Sequence, residues 1–267
     1  MKRALAALLF LVAAAASGTT PSYYSGSATS TNFDHVTTPF QVTISSYVVP
    51  SLTNGVMIVA ISDYAETHSI TSVTWNGSSL THLDVSLPYT FNTSETLDLY
   101  YIKAPTATTA NVVVTWNGQT GTGVVGVILY ENVDQTTPFG TIATTNSTGT
   151  TSSVNVSTAS GDLAFAAFSN DDNYRYTPSG SSVERLDVSQ ASGIPLATYE
   201  LAAVGATTTP TATMTSTIWG AVGVALKQSG GGPTNTPTAT NTRNRIHIGN
   251  LERTPLPVQF VSTRWKD

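Results

Sequence analysis

Two neighbouring stretches, Asn111-Val-Val-Val-Thr-Trp-Asn117 and Val124-Val-Gly-Val-Ile-Leu-Tyr130, decide the fold class. In the first, Val112, Val114 and Trp116 fall on one face at a period of two, the signature of a strand with one side on a core. The second is apolar on both faces and reads as a central strand covered on both sides. Segments of the same kind, rich in Val, Thr, Ile and aromatics and bounded by turn residues, recur along the chain. They predict strands at Phe40–Ser46, Val56–Ser62, Ser72–Asn76, Leu80–Val85 and Leu97–Lys103 before this pair. After it they predict strands at Ser153–Ser157, Leu163–Ser169, Val183–Val188, Leu196–Ala202, Thr211–Thr215 and Trp219–Leu226. No stretch past the first 18 residues holds a 3.6-residue apolar period over ten residues, so the expected fold is all-β.

Composition agrees. The 267 residues include 46 Thr and 29 Ser but only 10% charged residues, and Thr favours strands over helices. No basic stripe is present, which excludes a nucleic-acid partner. The 40% hydrophobic content suffices for a core, and with no cysteine that core has no disulfide to support it.

The ends read differently from the middle. Lys2-Arg3, the apolar run Ala4–Ala16 and the small residues to Gly18 form an expected signal peptide, residues 1–18, which places the mature protein at the cell surface or outside. The apolar run has 13 residues, short of the roughly 20 that span a bilayer, and no later segment reaches that length. Residues 229–242 form a Gly/Thr/Pro linker, and residues 243–267 form a tail with five basic residues. Between Ser17 and Thr242, four bases face 14 acids, a net charge of −10.

Within residues 19–228 the chain repeats itself. Met57–Ser62 lies over Leu163–Phe168 at an offset of 106, and Leu83-Asp-Val-Ser86 recurs as Leu186-Asp-Val-Ser189 at 103. Tyr100–Ala104 matches Tyr199–Ala203 at 99, and Val125–Leu129 matches Val222–Leu226 at 97. The expected architecture is an antiparallel β-sandwich built from two related halves of about 100 residues, about 36–140 and 141–228.

The series Ser72-Val-Thr-Trp-Asn-Gly-Ser-Ser-Leu80, Leu97-Asp-Leu-Tyr-Tyr-Ile-Lys-Ala-Pro105 and Asn132-Val-Asp-Gln-Thr-Thr-Pro-Phe-Gly140 resembles a recurring β-sandwich, jelly-roll-like module of secreted and surface bacterial proteins. The resemblance covers about Val42 to Gln228. It implies the fold and an extracellular location, and it brings no catalytic residue with it.

Chemistry-bearing motifs are sparse. His35, His68, His82 and His247 are too scattered for a zinc site, and His82 reads as an edge or surface histidine. No Gly-x-Ser-x-Gly elbow occurs. Glu131 and Glu200 are the best carboxylates for glycoside hydrolysis, and neither has a motif to support it. Asp171, Asp172 and Asn173 in one loop, with Asp63 and Glu66 in the corresponding loop of the first half, are candidate calcium ligands or ordinary turn residues. Tyr64, Tyr89, Phe91, Tyr174 and Tyr176 lie in or near loops, where rings stack on sugars or close the ends of a sandwich. Trp75 and Trp116 each precede Asn-Gly, a hairpin signature, and are expected to pack across strands. The expected function is a non-enzymatic surface module for adhesion or carbohydrate binding, with an extracellular glycan or neighbouring surface proteins as partners. The alternatives are a structural cell-surface or filament subunit, or an accessory module of an extracellular glycoside hydrolase.

Overall fold

The computed structural model describes residues 18–34, 40–64, 69–84, 86–118, 121–190 and 194–230. The expected signal peptide up to Ser17, the expected linker beyond Gly230, the basic tail, Glu66, His35, His68 and His247 lie outside the described residues. The described residues contain strands and no helix, so none is long and apolar enough to cross a membrane as a helix.

Two strands, β1 (Ser22–Tyr23) and β2 (Thr29–Phe33), precede the first half, which contributes β3 (Phe40–Val49), β4 (Val56–Tyr64), β5 (Ile70–Trp75), β6 (Ser78–Ser79), β7 (Thr81–His82), β8 (Tyr89–Thr90), β9 (Glu95–Lys103), β10 (Thr108–Trp116) and β11 (Gly123–Glu131). The second half contributes β12 (Ala143–Ser153), β13 (Val156–Ser157), β14 (Leu163–Asn170), β15 (Thr177–Pro178), β16 (Val183–Val188), β17 (Leu196–Ala202), β18 (Thr207–Thr208) and β19 (Thr211–Leu226). All pairings are antiparallel.

Four layers result. An outer sheet, β3-β10-β5-β6, covers one face of a first inner sheet, β1-β11-β4-β9-β7. The other face of that sheet packs on a second inner sheet, β12-β19-β14-β17-β16, whose far face carries the short pair β13-β18. Burial follows from this stacking. β3 alternates buried and exposed as a one-sided strand should, whereas β14 is buried at every position because a layer lies on each side. Three core clusters fill the gaps. One, with Val59, Trp75 and Trp116, lies between the outer and first inner sheets. The second, with Ile58, Leu99, Phe165 and Val224, joins the two inner sheets. The third, with Phe168, Tyr176, Tyr199 and Trp219, lies beneath Val154 and Val156 and includes six alanines, whose small side chains let a thin covering layer approach closely.

The inner sheets share one strand order, with β11, β4, β9 and β7 answering to β19, β14, β17 and β16. Their register corrects the sequence alignment by one residue in two places. Tyr100 sits opposite Val59, itself opposite Val127. Tyr199 sits opposite Ala166, itself opposite Gly223. Tyr100 and Tyr199 both face an outer layer, so Val59 answers to Ala166 at an offset of 107, and Val127 to Gly223 at 96. The offsets of 106 and 97 read from identities place side chains on opposite faces of the sheets, as any one-residue slip must.

One Asn-Gly pair makes its turn. Asn76 and Gly77 both have positive φ (48° and 76°) between the paired residues Trp75 and Ser78, as a two-residue hairpin requires. After Trp116 the chain does not reverse there. The Asn117 Oδ1 instead accepts the Ser69 amide at 2.9 Å.

Candidate functional site

Asp63 and Asp98 stand diagonally on the neighbouring strands β4 and β9, where Ile61 pairs with Asp98 and Asp63 with Thr96. Both carboxylates are buried, at 3% and 2% exposure, on the face turned toward the outer sheet. Such positions are tolerated only with donors in reach. The Trp116 indole Nε1 donates to Asp63 Oδ2 at 2.9 Å. His82, placed by β7 opposite Tyr100, donates from Nε2 to Asp98 Oδ1 at 2.6 Å, and the Leu99 amide donates to the same oxygen. The imidazole lies on the Tyr100 ring, with centroids 4.7 Å apart and planes at 27°. These groups, with Ser69, Pro88 and Thr96, line a cleft of about 160 Å³.

The electrostatics follow from burial and pairing. The bond to Asp98 holds the His82 imidazole above its ordinary value of 6.5 against the opposing effect of burial. Desolvation pushes the Asp98 carboxyl up, and His82 pulls it back. Burial, then the Asp98 charge, raises the Tyr100 hydroxyl. A histidine raised by a partner contributes stability that is complete below about pH 6.5 and is lost as pH rises through the folded value. Thermal unfolding followed from pH 6 upward is therefore expected to show a melting temperature that falls with pH, and His82→Gln is expected to flatten that slope.

Among the described residues, the corresponding place in the second half is filled. By register, His82 answers to Glu184, Asp98 to Ala197, Ile61 to Phe168 and Asp63 to Asn170. Phe168 packs on Tyr199 and Tyr176 with centroids 5.5 and 5.9 Å apart and fills the corresponding space. The same framework is thus plugged by aromatics in one half and open and polar in the other.

The loop expected to hold calcium is tied up internally. Asn170 Oδ1 accepts the amides of Asp172 and Tyr174, Asp172 Oδ2 accepts the Thr217 hydroxyl at 2.6 Å, and Asn173 Oδ1 accepts the Gln190 amide at 2.7 Å. Asp171 meets Glu95, whose carboxyl is raised by burial first and by Asp171 second. Among the described residues no three His, Asp or Glu side chains converge as a metal site. Asp63 belongs to the cleft.

The aromatic candidates divide. Phe91 and Tyr176 are core residues, 3% and 4% exposed, with no ring surface for a ligand. Tyr89 donates its hydroxyl to Asn146 Oδ1 at 3.1 Å. Tyr64, at the end of β4, and Tyr174 are half-buried and are not brought together with the others. Trp75 and Trp116 both pack in the first core, although only Trp75 stands beside a hairpin turn. Glu131 Oε1 accepts the Thr53 amide, and buried Glu200 is ion-paired with Arg185, whose guanidinium lies 4.2 Å above the Tyr23 ring. Both glutamates serve structural pairs. A second, larger cleft of about 580 Å³ is lined by Ser181, Glu200 and Thr207–Thr209 on its polar side and by Leu163, Val183 and Val204 on its apolar side.

No protein-family model, curated protein or solved structure matches this chain.

The sequence signal for the cleft was an acid inside an apolar run. Leu97-Asp98-Leu99-Tyr100 sets a carboxylate mid-strand, where it needs a buried partner, and His82 supplies it from the adjacent strand.

Proposed function

We propose that the protein is a secreted, non-enzymatic binding module that holds a single residue or chain end of an extracellular glycan in the His82–Asp98–Tyr100 cleft. One observation carries this reading: two halves with one strand order differ at this place, one open and polar, the other packed shut. The open site combines a flat pair of rings, a partly exposed imidazole, two carboxylates and the hydroxyls of Ser69 and Thr96, groups suited to a polyhydroxylated ligand. Its volume is below the roughly 300–1,000 Å³ of pockets that enclose drug-sized ligands, which favours one sugar ring over an oligosaccharide.

The test is a glycan array probed with the full chain, followed by titration of any ligand found. His82→Ala and Asp98→Asn are each expected to weaken binding about tenfold or more, the effect of losing a charge-assisted contact of 1.5–3 kcal/mol. Glycan binding that both variants retain, with Tyr64→Ala or Tyr174→Ala abolishing it, would move the site to the loop tyrosines.

A further inference from the structure

The outer sheet carries no charge. Phe40–Ser62, Ser69–Leu83 and Ala104–Tyr130, which supply all four of its strands, contain no Asp, Glu, Lys or Arg, although Ser17–Thr242 as a whole stands at −10. Register defines the face that it turns away from the core. Thr43, Val113, Thr74 and Ser79 form one row across the four strands, and Gln41, Thr115 and Ser72 form a second. Val48, opposite Thr109, extends the face and is 59% exposed, one of three large hydrophobic residues exposed among the described residues.

We propose that this face packs against the same face of a second copy of the chain. Charge argues for that partner. Two acidic bodies repel wherever carboxylates meet, and this face is the broad surface where two copies approach without opposing like charges. Shape argues for it too, because the chain already stacks sheet on sheet and a copy adds one more such contact. The opposite end of the stack is also free of charge over residues 135–161 and 201–226, but it is not flat: a hollow of about 280 Å³ opens between Thr144 and Asn155 with Trp219 at its base. Self-pairing of the flat face closes at a dimer, whereas pairing of the two ends would grow without limit.

Size sets the strength. The strands β3, β10, β5 and β6, of ten, nine, six and two residues and about 4.8 Å apart, cover roughly 430 Å² per copy, so a dimer buries about 850 Å². That is below the size of stable interfaces and in the range of weak, transient ones, and it predicts a reversible dimer with a dissociation constant on the order of 100 μM.

Sedimentation velocity of the full chain from about 1 μM to about 300 μM reads this directly. The expected result is a monomer that becomes a dimer across that range and goes no further. Thr43→Glu and Val48→Glu, two separate exposed positions whose folding is checked by far-UV circular dichroism, are each expected to raise the dissociation constant at least about tenfold by opposing like charges. Thr148→Glu, at the opposite end, is expected to leave the dimer unchanged. A monomer throughout, or a dimer that survives both face variants, overturns the proposal. Growth beyond a dimer that Thr148→Glu abolishes also overturns it, and assigns end-to-end assembly instead.

Discussion

Trp116→Ala is expected to remove most of the stability of the first half. The indole is 2% exposed and packs on Phe33 and Phe40 with centroids 5.2 and 4.9 Å away. Truncating a buried aromatic to alanine costs about 3–5 kcal/mol. The substitution also takes a donor from the buried Asp63 carboxylate, a further loss of about 1–3 kcal/mol. Set against a typical folding stability of about 5–15 kcal/mol, the two together leave little margin. Urea unfolding of both proteins measures the difference. Trp116→Phe separates the contributions, because it keeps most of the ring and loses the N–H, and it is expected to cost about 1–3 kcal/mol. A cost for Trp116→Ala below about 1 kcal/mol would mean that the aromatic cluster does not hold the outer sheet to the inner one.

How far the sequence reveals this molecule depends on which force placed each residue. Burial on one or both faces leaves a periodic mark, and the strands that bear it are legible: Val183–Val188 and Leu196–Ala202 are observed with the bounds expected of them. β12 carries no such mark. Its residues are Thr, Ser, Asn, Gly and Ala on a mostly exposed edge, and its place is fixed by backbone pairing with β19. The predicted strands Thr211–Thr215 and Trp219–Leu226 are one continuous strand, because Thr217 and Ile218 between them pair with Gly149 and Thr148 of β12 beside a register shift that spans residues 214–216. Internal repetition is visible as identities, but identities do not carry register. Val125-Gly-Val and Val222-Gly-Val match in letters and face opposite ways, Val125 in the first core and Val222 between the inner sheets. The cleft is legible only in part for the same reason. His82 looks like a surface histidine until strand pairing brings Asp98, 16 residues on, against it.

The contact that joins the two halves gives the second large effect. The segment before β9 carries Phe91, 3% exposed, over Gly220 of β19, and the Asn146 side chain of β12 donates to the Phe91 carbonyl at 2.9 Å. A Cβ at Gly220 would overlap Cβ, Cγ and Cδ1 of Phe91, the root of the side chain rather than its free end, so no rotamer change relieves it. Gly220→Ala is therefore expected to cost about 1–3 kcal/mol by overpacking, although alanine is otherwise better suited to a strand than glycine. Phe91→Gly is expected to cost about 3–5 kcal/mol or more by leaving a cavity in the shared core. The two defects are opposite in sign and occupy one place, since glycine at position 91 removes Cβ as well as the ring and leaves that space to the added methyl. The double variant is accordingly expected to be more stable than the sum of the single costs allows, by about 0.5–3 kcal/mol in an unfolding cycle. Additive costs would show that Phe91 does not rest on Gly220, and that the inner sheets are held together by Ile58, Leu99, Phe165 and their neighbours alone.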